Sequence, residues 1–426
     1  MTLVLIDAVG LTPRALEHMP RTRSIGAAAR LDPVLPAVTC SVQSTLLTGL
    51  EPTDHGIVGN GWYFRDLGEV FLWRQHNRLV QGEKLWETAR RSRPGFRAAN
   101  VCWWYAMGAT TDFTVTPRPI YHADGAKSPD CYTDPPELHD RLTGALGEFP
   151  LFTYWGPTAD LTSSRWIASA AQKLLREESL DLLMVYLPHL DYDHQRFGPG
   201  APQSAAAARE LDGVLGDLAD VARERGDTVV VLSEYGITDA RRPVDVNRAL
   251  RRAGLLDVYT QAGMEYLDPW TSRAFAVADH QVAHVYVRDP GDVGAAREAL
   301  AGLGGIDVVL AGDERRDAGL GHERAGELVL VAEPDAWFTY YYWLDDERAP
   351  DFARQVEIHR KPGYDPAELF MDPTDRLVKA RAGAALVRKK IGMRYVMAVV
   401  PLDPSVVRGT HGRLPADARD APVFLC

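Results

Sequence analysis

The sequence predicts an α/β fold with a doubly wound, mostly parallel sheet between helices. Three short runs rich in apolar and β-branched residues predict buried strands, at residues 3–6, 182–187 and 229–232. Between the last two runs, apolar residues recur at helical spacing over residues 204–225. A strand, a helix and a strand in that order form a right-handed crossover, and therefore a parallel sheet covered on both faces. Two further amphipathic helices are predicted, at residues 164–178 and 374–390.

Two stretches interrupt this alternation and predict insertions over one edge of the sheet. Residues 105–160 carry several prolines and many aromatic residues with little periodicity. Residues 262–345 have the pattern of a smaller α+β unit that ends in a run of aromatic residues. We therefore expect a core formed by residues 1–104, 161–261 and 346–426, with cap insertions at 105–160 and 262–345.

Composition excludes several classes of protein. The 426 residues carry 47 Lys and Arg against 58 Asp and Glu, a net charge of −11, which disfavours a nucleic-acid scaffold or an anionic membrane surface. An anionic substrate would then need metal ions or local dipoles for its positive charge. No apolar run approaches the roughly 18 to 20 residues of a membrane span, and the N-terminal residues predict a strand rather than a signal peptide. The four cysteines form no CxxC pair, which fits a reducing compartment, so we expect a cytoplasmic protein.

An acidic residue follows each of the three predicted strands. Asp7 ends the first, Asp191 comes after a short turn beyond the second, and Glu234 follows the third. The carboxyl ends of parallel strands meet at one edge of a sheet. Three carboxylates there would repel one another without a cation, so the pattern predicts a divalent metal site. Any one of them alone would more often cap a helix or a loop.

Thr39 opens a predicted helix in the segment from residue 36 to residue 60. A hydroxyl at a helix N-terminus lies where the dipole and backbone N–H groups stabilise an alkoxide or a bound phosphate. Contact with a metal would lower the pKa of that hydroxyl further. Taken alone, a threonine at this position is more often an N-cap than a nucleophile.

Several short motifs together resemble one family. They are Thr39 with Thr48-Gly49, Pro52, His55-Gly56-Ile57, Gly59-Asn60, Pro362-Gly363-Tyr364-Asp365-Pro366 and Arg408-Gly409-Thr410-His411-Gly412. This set resembles the nucleotide pyrophosphatase/phosphodiesterase branch of the alkaline phosphatase superfamily, in which phosphonoacetate hydrolase is a close relative. The resemblance implies an alkaline phosphatase-like core and a metal-dependent phosphoric-ester hydrolase of the phosphodiesterase or pyrophosphatase type. Its substrate would be a small phosphate- or phosphonate-containing molecule.

The resemblance also implies roles for individual residues. Members of that family hold two divalent metal ions, usually zinc, which bridge the phosphoryl group. Asp7 and Thr39 match ligands of the metal that activates the nucleophile, whereas Asp191 and His411 match ligands of the other metal. Asn60 falls at the phosphate-binding asparagine. In the implied mechanism Thr39 attacks phosphorus in line and forms a phosphothreonine, which water hydrolyses.

Two positions depart from the family pattern. Gln195 stands where the family has a histidine four residues after Asp191, and His194 comes one residue early. The family's Ser-Asp-His-Gly is replaced here by Ser233-Glu234-Tyr235-Gly236. We therefore expect Glu234 as an oxygen ligand and treat Tyr235 and Gln195 as candidate ligands. With two imidazoles lost, Mn, Mg or Fe is favoured over a zinc pair, and the second metal site is weaker or absent.

Other residues are weaker candidates. His359 lies beside the Gly363-Tyr364 motif and could supply an imidazole, although a structural histidine is the commoner case. The Asp279-His280 pair is interpreted as a chance match, because the residues after it alternate like a strand. Trp62 and Tyr63 directly follow Asn60 and are candidate substrate-binding aromatics, but such residues equally fill a seam between core and cap.

Two alternatives to a phosphodiesterase stay open at this stage. The same fold could catalyse phosphonate hydrolysis or phosphoryl transfer. Alternatively, the altered ligands could have ended catalysis and left a phosphate-ligand binding protein. Intact Asp7, Thr39, Asn60, Asp191 and His411 favour an enzyme.

Overall fold

The computed structural model describes residues 1–123 and 126–426. Its strands, in chain order, are β1 (Leu3–Ala8), β2 (Ala28–Arg30), β3 (Gly61–Phe64), β4 (Glu69–Leu72), β5 (Ala98–Val101), β6 (Phe113–Pro117), β7 (Ile120–Tyr121), β8 (Lys127–Ser128), β9 (Cys131–Asp134), β10 (Leu182–Leu187), β11 (Thr228–Leu232), β12 (Thr238–Asp239), β13 (Arg242–Val244), β14 (Val258–Gln261), β15 (Met264–Leu267), β16 (Ala274–Asp279), β17 (Val282–Val287), β18 (Ile306–Ala311), β19 (Leu328–Ala332), β20 (Ala336–Phe338), β21 (Gly409–Thr410) and β22 (Val423–Leu425).

The α-helices are α1 (Pro13–Leu16), α2 (Pro20–Arg23), α3 (Thr39–Thr48), α4 (Pro52–His55), α5 (Leu85–Ser92), α6 (Glu137–Leu146), α7 (Leu161–Glu177), α8 (His189–Phe197), α9 (Pro202–Glu224), α10 (Val246–Arg252), α11 (Val293–Ala301), α12 (Gly312–Asp317) and α13 (Val378–Lys390).

The chain forms two compact units. The first consists of Met1–Ile57, Arg74–Thr238 and Leu414–Cys426, and the second of Val58–Trp73 and Asp239–Arg413. The segment 105–160, expected as a cap insertion, contributes β6 and β9 to the sheet of the first unit. The boundaries predicted between core and caps stay a prediction.

An eight-stranded sheet forms the centre of the first unit, in the order β2-β22-β11-β1-β10-β5-β6-β9. The five strands from β11 to β6 run parallel, whereas β22, β2 and β9 are antiparallel to their neighbours. Every residue of β10 is buried, as expected for a strand covered on both faces. The predicted α/β fold with a mostly parallel sheet is confirmed.

Two of the predicted helices correspond to α9 and α7, and their apolar stripes are buried. The third begins at Val378, four residues later than predicted. The carboxylates of Asp372 and Asp375 accept backbone N–H groups from Thr374 and Leu377, and these turns occupy the residues before the helix. The sequence predicts a short turn at residues 188–190 before Asp191, whereas in the structure α8 already begins at His189 and Asp191 lies in its first turn.

The second unit contains a four-stranded antiparallel sheet in the order β16-β17-β19-β18. All residues of β16 and β17 are buried, so the alternation that predicts a strand at β17 does not mark a solvent-exposed face. The hairpin β3-β4 follows Asn60, and its residue Trp62 is buried. Within 1–123 and 126–426, no helix is long and apolar enough to span a membrane.

Candidate active site

Thr39 is the first residue of α3, as the sequence predicts. The residue before it, Val38, is extended, and no side chain caps the helix. The Thr39 side chain is buried, and its Oγ1 lies 3.0 Å from the phenol oxygen of Tyr235. The helix ends at Gly49, whose φ of 70° explains why a glycine follows Thr48 in this motif. The helix thus presents a hydroxyl at its positive end, in contact with a second hydroxyl.

Gln43, one turn beyond Thr39, connects two of the predicted carboxylates. Its Nε2 donates to Asp7 Oδ2 at 3.1 Å and also to Glu234 Oε1. Its Oε1 accepts the backbone N–H of Trp104 at 2.7 Å, and this bond fixes which end of the amide faces the carboxylates. Sequence reasoning missed Gln43, although its spacing of four from Thr39 places both side chains on one face of the helix.

Burial dominates the electrostatics of the three carboxyl groups. It raises the pKa of Asp7 to about 7 and that of Asp191 to about 7. Burial, followed by the charge of Asp7, raises the pKa of Glu234 well above its usual value. The neighbouring Gln43 and Thr39 side chains partly oppose this rise in the pKa of Glu234. Without a counter-cation Asp7 and Asp191 therefore bind protons up to near neutral pH.

Asp191 and Gln195 face each other on α8. Gln195 Nε2 donates to Asp191 Oδ2 at 2.9 Å, which is the contact expected for residues four apart on a helix. His194, the neighbouring imidazole, packs near Gly10, and burial lowers its pKa to about 4. The first unit thus brings together Asp7, Thr39, Glu234 and Tyr235, and pairs Gln195 with Asp191.

The remaining candidates lie in the second unit, where Asn60 is bound to Asp279. The Asn60 backbone N–H donates to Asp279 Oδ2 at 2.7 Å, and its side-chain amide donates to Oδ1 at 3.1 Å. Gly59 permits this approach, since a Cβ there would lie 3.1 Å from the same carboxylate. Burial raises the pKa of Asp279 to about 6. The role of Asn60 in phosphate binding stays a prediction.

His411 lies against His280, with 3.7 Å between ring centroids, and His280 also stacks on Tyr364. Sequence reasoning treated Asp279-His280 as a chance match and missed this cluster. The three segments are far apart in the chain, so only the fold reveals their proximity. His359 lies in a half-buried turn.

Trp62 stacks on Phe64 and lies under the Arg324 guanidinium, and Tyr63 packs against Phe275 and Tyr286. These contacts favour the packing interpretation of the two aromatic residues over substrate binding.

Comparison with known proteins decides the family. Residues 3–365 match the family model described as type I phosphodiesterase / nucleotide pyrophosphatase. The chain belongs to this family. A curated relative, an uncharacterized pyrophosphatase/phosphodiesterase of Schizosaccharomyces pombe, is 24% identical over 280 residues. That match covers 62% of this chain and 47% of the relative, so the chain spans about half of the relative's length.

Solved structures of related fold agree with this assignment. Phosphonoacetate hydrolase from Sinorhizobium meliloti, in complex with phosphonoformate, gives a TM-score of 0.60 at 16% identity, covering 100% of this chain and 89% of the other. Murine ectonucleotide pyrophosphatase / phosphodiesterase 5 gives a TM-score of 0.57 at 15% identity, covering 100% and 87%. At these identities the likeness establishes an alkaline phosphatase-like fold.

The donor atoms of the first unit fit the divalent cations on which the phosphodiesterase family depends. Asp7 Oδ1 and Glu234 Oε2 are buried and have no hydrogen-bond partner among the residues described. A cation would provide that partner and keep both carboxylates ionised. Carboxylate, hydroxyl and amide oxygens of this kind suit hard cations such as Mg²⁺ or Mn²⁺.

Proposed function

We propose that the chain hydrolyses phosphodiesters or phosphoric anhydrides, with Thr39 as the nucleophile. The observation that carries the proposal is the buried Thr39 hydroxyl at the start of α3, 3.0 Å from the Tyr235 phenol oxygen and close enough to Glu234 to influence the pKa of that carboxyl. The positive end of the helix dipole favours the negative charge that develops there.

The hydrogen bonds supply a route for the Thr39 proton. Either hydroxyl can donate in the 3.0 Å contact between Tyr235 and Thr39 Oγ1. In the proposed step the phenol donates to Oγ1, which leaves the Thr39 proton directed to the neighbouring Glu234 carboxylate. As the bond between Oγ1 and phosphorus forms, the proton moves to Glu234 and the bond from phosphorus to the leaving oxygen breaks. Water then attacks the same phosphorus and releases Thr39, with a proton returned to its oxygen.

Two groups of residues in the first unit would supply the metal ligands. Asp7, Glu234 and Thr39 would hold one divalent cation, and Asp191 with Gln195 would contribute to a second, weaker site. When bound, such a cation lowers the pKa of the attacking hydroxyl and neutralises charge on the phosphoryl group. Gln43 would orient Asp7 and Glu234 by donating to one oxygen of each.

The substrate is proposed to be a small molecule. The net charge of −11 disfavours a polyanionic partner, and metal ions would offset the charge of a single phosphodiester or phosphonate group. Hydrolysis of a phosphonate C–P bond is the alternative on the same fold, and a panel of substrates separates the two activities. Tested after loading with Mn²⁺ or Mg²⁺, an aryl phosphodiester should be cleaved faster than a phosphonate or an aryl monoester.

The experiment is a comparison of three variants on that aryl phosphodiester. Thr39→Ala should lower kcat by at least about a thousandfold, while Thr39→Ser retains part of the activity because the hydroxyl is kept. Thr48→Ala, at the other end of α3, is the matched control and should behave like the wild type. Wild-type turnover by Thr39→Ala would overturn the proposal. Metal and substrate analogue bound without any turnover would instead indicate a catalytically silent binding protein.

A further inference from the structure

Backbone hydrogen bonds bring three distant segments of the second unit together. Tyr364 N–H donates to Ala278 O at 2.9 Å, and Gln281 N–H donates to His411 O at 2.9 Å. Gly412 is required for the second contact, because a Cβ at this position would lie 2.9 Å from Gln281 N. The turn after β16 is thus fixed between the Gly363-Tyr364 and His411-Gly412 motifs.

His280, in this turn, has one nitrogen occupied and one available. Its Nδ1 lies 2.8 Å from Asp279 Oδ1, so this nitrogen carries the proton and Nε2 keeps its lone pair. Nε2 is buried and has no hydrogen-bond partner among the residues described. His284, on the same hairpin, uses both nitrogens, with Nε2 on Val58 O and Nδ1 on the Gly326 N–H. The open nitrogen is therefore specific to His280 within this pair.

Neighbouring residues hold the His280 imidazole in place, although the backbone of His280 adopts an unfavourable conformation. The backbone φ of His280 is 60°, a left-handed conformation that is uncommon for a residue with a side chain and that concentrates at functional sites. Two hydrogen bonds from Asn60 hold the Asp279 carboxylate that orients the ring. A carboxylate that accepts from the second nitrogen of a histidine is the usual support of a metal-binding imidazole.

We propose that His280 binds a transition-metal ion through Nε2, with His411 as the adjacent imidazole and Asp279 as the positioning carboxylate. Paired imidazoles favour Zn²⁺ or Co²⁺ over Mg²⁺. His411 enters as the neighbouring imidazole, 3.7 Å from His280 between ring centroids. This inference does not rest on the proposed function, whose metal ligands lie in the first unit. It adds a nitrogen donor in a chain that lacks two of the histidines expected from its family.

The test measures metal binding on the full-length protein and does not depend on turnover. One equivalent of Zn²⁺ is added to metal-free protein, the Kd is measured by competition with a chelating dye, and X-ray absorption counts the imidazoles on zinc. His280→Asn suits the positive φ and should raise the Kd at least about a hundredfold, with one imidazole lost. Asp279→Asn should raise the Kd by about 10 to 100-fold at an unchanged imidazole count, as expected for loss of a positioning group.

His18→Asn, a half-buried histidine of the first unit, is the control and should leave both readings unchanged. An unchanged Kd and imidazole count in His280→Asn would overturn the inference, as would failure of the wild type to bind Zn²⁺ through histidine. If His280→Asn does not fold, Asp279→Asn decides, and a wild-type Kd in that variant overturns the assignment. The two proposals can fail separately. If His280→Asn loses a zinc ligand while Thr39→Ala keeps full turnover, this inference is upheld and the proposed function is refuted.

Discussion

At the scale of single residues, the proposed chemistry depends on how the buried carboxylates Asp7 and Glu234 are held near the Thr39 hydroxyl. Gln43 contributes most to this arrangement, because its amide is fixed by Trp104 and donates to both Asp7 and Glu234. Tyr235 stands where the resemblance implies a histidine, and its phenol oxygen lies 3.0 Å from Thr39 Oγ1.

Gln43→Leu should lower the free energy of unfolding of metal-free protein by about 1 to 3 kcal/mol, because it removes a donor from two buried carboxylates. The loss should be smaller with Mn²⁺ bound, since the cation provides a counter-charge. Urea unfolding with and without chelator measures both values. Gln172→Leu, half-buried on α7, serves as control, and equal losses in the two metal states would contradict this account.

The Tyr235→His and Gln195→His double variant should shift the metal preference of the reaction towards zinc, because it restores imidazoles at two oxygen positions. The wild type should recover more activity with Mn²⁺ or Mg²⁺ than with Zn²⁺ after chelation. The ratio of the rates with Mn²⁺ and Zn²⁺ is the measurement. Best recovery of the wild type by stoichiometric Zn²⁺ would show that the two replacements do not set the preference.

At the scale of elements, the strands and long helices follow from local sequence, whereas the contacts of the turns between them do not. The β-branched runs at β1, β10 and β11 and the apolar stripe of α9 predict their elements directly. The contacts of the turn at His280 could not be predicted in this way, because its partners Tyr364 and His411 lie more than 80 residues away in the chain. The predicted turn before Asp191 is shorter in the structure, because only Pro188 separates β10 from α8.

Gly236 shows how a motif residue serves packing rather than chemistry. A Cβ at this position would lie 1.8 Å from Asp420 O and 2.7 Å from Thr12 Cγ2, so Gly236→Ala should destabilise the chain by about 1 to 3 kcal/mol. Gly213→Ala is the opposite case, because Gly213 lies inside α9 with no heavy atom within 4 Å of the added Cβ. It should stabilise by up to about 1 kcal/mol. Thermal unfolding measures both, and a tolerated Gly236→Ala would refute the packing argument.

At the scale of the whole molecule, fold and family were predictable because the motifs that carry the resemblance are short and local. The three carboxylates of the first unit could be singled out because each follows a predicted strand, and their role as metal ligands stays a prediction. The contacts of Gln43 and of the cluster around His280 could not be predicted from the sequence, because they form between side chains that only the fold brings together. The site residues in the second unit therefore depend on tertiary structure for their interpretation.

The stability of the metal-free chain should depend on pH through Asp7. Its pKa is about 7 when folded against an ordinary value of 3.8, so between these values the folded state binds more protons than the unfolded state. Its contribution to the free energy of unfolding therefore falls as the pH rises through that window. Asp7→Asn cannot titrate, so in chelator its stability relative to wild type should rise by about 2 to 4 kcal/mol between pH 4 and pH 8. A pH-independent difference would contradict the assignment.

The stereochemical course at phosphorus tests the central claim, nucleophilic attack by Thr39, most directly. A phosphodiester made chiral by sulfur substitution is hydrolysed in ¹⁸O-labelled water, and the configuration of the product is determined. Attack by Thr39 and then by water inverts phosphorus twice, so the account predicts net retention. Net inversion would show that water attacks directly and would contradict a covalent threonine intermediate.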